Sequence, residues 1–217
     1  ACSRYMTNAP ARPQPRRMSG AHITMPADSI DKQVAFLTEI DRLKSVDRAT
    51  TLADGTRREN SAEHSWHVAL YALVLADQAR PDVDISRVIK MLLIHDLVEI
   101  DVGDVPIFGQ YDADKLATEE ATAARRIFGL LPTDQASNLL DLWKEFEAAA
   151  TPDAQFAKSM DRFQPPNQNL ASGGGSWKEY GVDLKRIDAK VGAKIAIGAP
   201  GLWAWLKPKI KRFLAEN

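Results

Sequence analysis

The sequence predicts an all-α protein. Three observations carry that expectation. Apolar residues recur at helical spacing from Ser29 onward, capping residues stand where those runs begin, and no stretch shows the two-residue alternation of a half-buried strand. The 217 residues suit one domain with a short extension, and no internal repeat divides them. A chain of that length buries a sizeable core without disulfides.

Each element follows from its own signals. Val34, Leu37, Ile40 and Leu43 mark one face of a first helix, capped by Asp28 or Ser29. Asn60-Ser61-Ala62-Glu63 has capping-box spacing and opens a second helix to about Gln78. A turn at Pro81–Asp84 precedes a third helix, Ile85 to about Ile100, whose nearly all-apolar surface makes it central. Gly103, Pro106 and Gly109 make Asp101–Tyr111 a loop. Further helices are expected at about 112–129, 133–150, 152–165, 183–196 and 202–215, with Thr151-Pro152 as a cap followed by proline at the first helical position. Gly173, Gly174 and Gly175 make Ala171–Trp177 a flexible loop. Trp66, Trp143, Trp203 and Trp205 read as core or interface residues.

Residues 1–27 differ in kind. Pro10, Pro13, Pro15 and Pro26, with Arg4, Arg12, Arg16 and Arg17 and no acid, describe a flexible basic arm, leaving 28–217 as a single domain. A formal net charge of −1 gives no electrostatic reason to expect a nucleic-acid partner. Cys2 is the only cysteine, which fits a reducing, cytoplasmic setting. No apolar run approaches the roughly 20 residues a membrane span needs.

The chemistry concentrates between Ile94 and Asp104. His95 is followed by Asp96, Glu99, Asp101 and Asp104, at the end of a helix expected to be buried. Clustered carboxylates repel, and burying them unpaired costs on the order of several kcal/mol each. A divalent cation removes that penalty, and imidazole with carboxylate is an ordinary ligand set for one. Glu99 follows His95 by four residues and Asp96 by three, so all three side chains can project toward one region. His64 opens the preceding long helix and Asp161 lies on a later one, and an antiparallel bundle would let their ends meet. His67, one turn after His64, reads as packing, and Asp101 as solvated.

Four segments in this order resemble the HD-domain phosphohydrolases, and their 5'-deoxynucleotidase branch in particular. They are Leu43-Lys44-Ser45-Val46-Asp47-Arg48, then Arg57 to Ser65 with Glu63-His64, then His95-Asp96 with Glu99 and Gly103-Asp104-Val105-Pro106, and last Ala157-Lys158-Ser159-Met160-Asp161. The resemblance covers roughly residues 30–170 and implies an HD-type helical bundle with additional C-terminal helices. It implies one divalent ion (Mn, Co, Fe, Ni, Zn or Mg) on His64, His95, Asp96 and Asp161. Glu99 would orient or deprotonate the attacking water, Asp104 would contact a sugar hydroxyl or the leaving oxygen, and Arg48 would hold the phosphate. Arg57 and Arg58 read either as a solvated loop face or as further phosphate contacts. Ala49 follows Arg48 where that branch carries an aromatic residue that helps exclude a ribose 2'-hydroxyl, which leaves the sugar preference open.

The function so implied is hydrolysis of a (deoxy)nucleoside 5'-monophosphate to nucleoside and phosphate, by an enzyme whose partner is a small-molecule nucleotide and whose assembly is a homodimer. The alternatives are an HD-type hydrolase of a nucleoside triphosphate or guanine alarmone, and a non-catalytic nucleotide-binding module.

Overall fold

A computed structural model describes residues 27–217; the expected basic arm, and His22 within it, lie outside the described residues except for Ala27, which opens the first helix. The chain runs through α1 (Ala27–Ile40), strands β1 (Asp47–Thr51) and β2 (Arg58–Asn60), then α2 (Ser61–Val74), α3 (Ile85–Ile94), α4 (Glu99–Val102), α5 (Ala113–Phe128), α6 (Thr133–Ala148) and α7 (Pro152–Ala171). The C-terminal part holds α8 (Ser176–Glu179), α9 (Leu184–Ile187), α10 (Ala193–Gly198) and α11 (Pro200–Glu216). Among the described residues no helix is long and apolar enough to cross a membrane.

Two expected caps form where the residues indicate, whereas Asp28 and Ser29 lie inside α1 and do not precede it. Asn60 accepts from the Glu63 amide while the Glu63 side chain accepts from the Asn60 amide, a complete capping box at the head of α2. Thr151 caps α7, with Pro152 in the first turn.

Two apolar clusters form the interior. The larger gathers Val68, Met91, Leu92, Phe156, Met160 and Ile195 from α2, α3, α7 and α10. The smaller gathers Phe36, Leu97, Val98, Ile127, Phe128 and Trp143 around α5 and α6. Leu92 belongs to one cluster and Leu97 to the other, so the segment between them is anchored on both sides. Each such side chain stabilises the fold by about 1.5–3 kcal/mol on burial, and that double anchor places His95 and Asp96 where the two cores meet.

Several elements depart from expectation for identifiable reasons. The first helix turns its Phe36 inward, while Ile30, Val34 and Leu37 are largely exposed. The expected single helix from Ile85 to Ile100 tightens into a 3-10 segment, His95–Val98, between α3 and α4. There the Trp143 indole N–H donates to the His95 carbonyl at 3.2 Å, giving that oxygen a partner outside the helix. The helix α7 continues past residue 165 although Pro165 and Pro166 lie inside it. Lacking N–H groups, they leave the carbonyls of Asp161 and Arg162 without their usual donors four residues on. The glycine segment is a tight turn, in which Asn169 Oδ1 accepts from the Ser176 amide at 3.2 Å and Trp177 packs against Phe213.

An antiparallel pair of short strands, β1 with β2, was not expected. Arg48 and Thr50 point inward from β1, and Glu59 from β2 is almost fully buried. The inward residues are polar, so the alternation carries no hydrophobic signature.

Candidate metal centre

His64 on the first turn of α2, His95 and Asp96 on the 3-10 segment, and Asp161 on α7 converge in the buried interior. His64 Nε2 stands 3.1 Å from Asp161 Oδ1 and 3.9 Å from Asp96 Oδ2. His95 Nε2 stands 3.0 Å from Asp96 Oδ1 and 3.8 Å from Asp161 Oδ1. The donor atoms of His64, His95 and Asp96 all lie within 4.8 Å of one another.

The outer partners of the two rings fix which nitrogen faces inward. His95 Nδ1–H donates to the Leu92 carbonyl at 2.8 Å, a group that can only accept, so the Nε2 lone pair is left for the centre. That Nε2 atom is buried and has no hydrogen-bond partner. His64 Nδ1 lies 3.1 Å from Gln164 Oε1. The amide is oriented by its own nitrogen, which donates to Glu59 at 3.1 Å and to Gln168 at 2.7 Å. A buried, unpartnered imidazole nitrogen among carboxylates is what a divalent ion requires, and the residues present fit one.

Arg48 closes the next layer. Its Nη1 lies 2.8 Å from Asp96, 3.3 Å from Asp104 and 3.6 Å from Glu99, and its Nε 3.4 Å from Glu59. Burial works against the charge on Arg48, but Asp96, Glu99, Asp104 and Glu59 more than offset it and hold the guanidinium cationic. Asp104 is brought back to the arginine by Gly103, whose φ of 75° lies in a region that other residues rarely adopt. Asp104 also accepts from the Ala49 amide at 3.4 Å.

The electrostatics are those of a site with surplus negative charge. Burial raises Glu99 well above the ordinary carboxylate range, and neighbouring Asp96 and Asp104 push it further. Ser61 donates its hydroxyl to Glu99. Asp104 is raised as well, again chiefly by burial. For Asp96 burial is outweighed by His95 and Arg48, and it stays well below the usual range; Asp161 is likewise lowered, by Arg162 and the two histidines. Burial opposes the proton on His95, yet Asp96 and Asp161 push that imidazole up to about 10.

A cavity opens from this centre, and Arg48, Glu99, Asp104, Glu120, Lys158 and Arg162 are among the residues that line it. Arg57 and Arg58 do not line it. Arg57 pairs with Glu63 at 2.5 Å and Arg58 with Glu179 at 2.9 Å, both exposed, so the solvated-face reading matches their placement. Asp101 pairs with Arg126 at 2.6 Å, away from the cavity. His67 touches the Gln164 amide at 3.2 Å and the edge of Tyr71, a packing position.

Sequence reasoning missed Glu59, Gln164, Glu120, Lys158 and Arg162. Gln164 and Lys158 each stand three residues from Asp161, so helical spacing from that aspartate was the available signal. Glu59 and Glu120 carried no comparable mark.

Comparison with known proteins follows the same lines. The family model described as HD domain matches residues 40–203. The 5'-deoxynucleotidase HDDC2 of Homo sapiens is 29% identical over 128 residues, 58% of this chain and 61% of that protein. The 5'-deoxynucleotidase hdd1 of Schizosaccharomyces pombe is 29% identical over 136 residues, 60% of this chain and 67% of that protein. The chain thus spans about three fifths to two thirds of the length of these relatives. A crystal structure of a predicted metal-dependent phosphohydrolase of Magnetospirillum magnetotacticum MS-1 superposes with a TM-score of 0.81 at 44% identity, covering 87% of this chain and 96% of that one. The PH0347 protein of Pyrococcus horikoshii OT3, at 22% identity and a TM-score of 0.60, shares the fold, over 81% of this chain and 99% of its own.

Proposed function

Because the chain belongs to the HD-domain family, we propose that it is a metal-dependent phosphomonoesterase that hydrolyses nucleoside 5'-monophosphates to nucleoside and phosphate. The observation that carries this reading is the convergence of His64, His95, Asp96 and Asp161 beside a buried arginine at the head of an open cavity. Its similarity to 5'-deoxynucleotidases supports the nucleotide as substrate.

One divalent ion on those four residues would polarise the phosphoryl group and acidify the attacking water. The protein's own groups do the rest. Arg48 offers a planar set of donors to the phosphate oxygens. Glu99, relieved of its excess negative surroundings by a bound cation, is the carboxylate that orients the water and takes its proton. Asp104, turned inward by Gly103, meets the sugar hydroxyl or the leaving oxygen. The cavity lining favours a monophosphate over a triphosphate or alarmone. Its other cations are already matched: Lys158 by Glu147 at 3.0 Å and Arg162 by Asp161 at 3.6 Å. Glu99 and all four ligands are present, which argues against a non-catalytic module.

The reading includes 28–217 as one catalytic domain, a cytoplasmic setting and a homodimer. Trp66, Leu70 and Val74 on α2 and Trp205 on α11 form an exposed apolar face, and the groove they line carries no Asp, Glu, Lys or Arg. An uncharged, tryptophan-rich surface meets its own copy without like-charge repulsion, which supports a second protomer there; light scattering checks it. The activity is tested by incubating the purified chain with ribo- and deoxyribonucleoside 5'-monophosphates and several divalent ions. Equal release of orthophosphate and nucleoside is expected, whereas pyrophosphate or no product would overturn the reading.

A further inference from the structure

Glu120, on α5, shares the cavity wall with Leu116. Its carboxyl is half-buried, and among the described residues it is the one carboxyl lining the cavity that no hydrogen bond or ion pair engages. The metal-centre acids have Arg48 or a histidine, and Glu147 has Lys158 at 3.0 Å. Lys158 and Arg162 act on it only through their charge, without an ion pair: Lys158 pairs with Glu147 and sits over the Phe146 ring, 3.8 Å from its centroid, and Arg162 pairs with Asp161. Burial, with Glu147 nearby, pushes the Glu120 carboxyl up to about 7. Removing a carboxyl from water without a partner is costly, so a group left in that condition at a cavity wall is suited to a ligand that brings donors. The same cavity offers Phe108, Tyr111 and Trp177 as apolar and aromatic surface, which suits the organic part of a nucleotide once its phosphate lies at Arg48.

Resting on the nucleotidase reading, we propose that Glu120 is a specificity-determining residue that accepts a hydrogen bond from the nucleoside moiety, from either a sugar hydroxyl or an exocyclic amine of the base. The two sources share one chemistry, a neutral N–H or O–H donor, and substrate series separate them.

The experiment compares the metal-loaded chain with its Glu120→Ala and Glu120→Gln variants. Steady-state constants are measured for AMP, dAMP, IMP and 2',3'-dideoxyadenosine 5'-monophosphate, and adenosine binding is measured by calorimetry. Glu120→Ala should raise KM about tenfold, the loss of one hydrogen bond at a partly buried site, with kcat changed less than twofold. Glu120→Gln, which keeps a carbonyl acceptor, should recover most of the affinity. If the penalty vanishes for the dideoxy substrate the donor is a hydroxyl; if it vanishes for IMP the donor is the amine. Unchanged KM for all four substrates together with unchanged adenosine affinity would overturn the proposal while leaving the nucleotidase reading intact. A wild-type chain that hydrolyses none of the four, yet binds adenosine more tightly than Glu120→Ala, would sink that reading and keep the proposal. Neither hydrolysis nor adenosine binding would dispose of both.

Discussion

His95 shows how one side chain is committed twice. Its Nδ1–H is held by the Leu92 carbonyl while its Nε2 faces the carboxylates, so ring orientation is set before any ligand arrives and Nε2 is the nitrogen that gives up its proton to one. The same carboxylates raise its affinity for a proton, to a pKa of about 10. A divalent ion therefore competes with protons on His95 and on His64, which is raised as well. The sign follows directly: loading at neutral pH releases protons, and apparent affinity weakens as pH falls. Calorimetric titration of metal into the chain in two buffers of different ionisation heat checks this, since equal heats in both would mean that no proton leaves. Glu99 is the complementary case, a carboxylate beside the ligands and not one of them in the proposed scheme. Glu99→Gln should retain the metal, read by elemental analysis, while turnover falls by about two to four orders of magnitude.

At the scale of elements, the turn after α4 carries a sharp expectation. Gly103 has open space where a Cβ would go, so Gly103→Ala meets no clash and pays only for its positive φ, about 1–3 kcal/mol. The chain can relieve that strain by rotating Asp104 away from Arg48. Chemical denaturation should show the stability loss, and kcat/KM should fall further than Asp104-independent stability alone explains. Elements also separate what was legible in the sequence from what was not. Helix existence was readable because capping residues and apolar spacing are local signals, and the box at Asn60–Glu63 formed where its residues indicated. The convergence of the candidate ligands was legible because His-Asp adjacency and the later Asp161 fell in recognisable segments. The strands β1 and β2 were not, because their inward side chains, Arg48, Thr50 and Glu59, are polar and register only against tertiary partners. The break in the third helix was hidden for a similar reason: it depends on an indole from α6. On α1 the apolar stripe at Val34 and Leu37 misled, since burial there is decided by the packing of Phe36 on α5.

For the whole molecule, the candidate metal centre joins α2, the segment after α3 and α7, elements that lie between the two apolar clusters. A cation held there would bind the folded chain and not the unfolded one. At a hundredfold excess over Kd such binding adds about 2.7 kcal/mol, which for a chain of this size raises Tm by about 5–10 °C. Scanning calorimetry with and without a chelator checks the shift, and an unchanged Tm would mean that the four side chains do not act together as a binding site. Glu120 lies on the cavity side of the same assembly, so its replacement should leave that thermal shift untouched.

The tandem prolines of α7 divide that helix in its capacity to breathe. With neither Pro165 nor Pro166 supplying an amide proton, the ladder of exchangeable protons is interrupted at residues 165 and 166, one turn beyond Asp161. The turns before the gap should then open rarely, held by Met160 and Phe156 in the core. Those after it, tied to the glycine turn through Asn169, are free to open on their own. Deuterium uptake should accordingly be slow for residues 156–164 and faster for 167–171, and uniform uptake along α7 would show that the two halves still unzip as one.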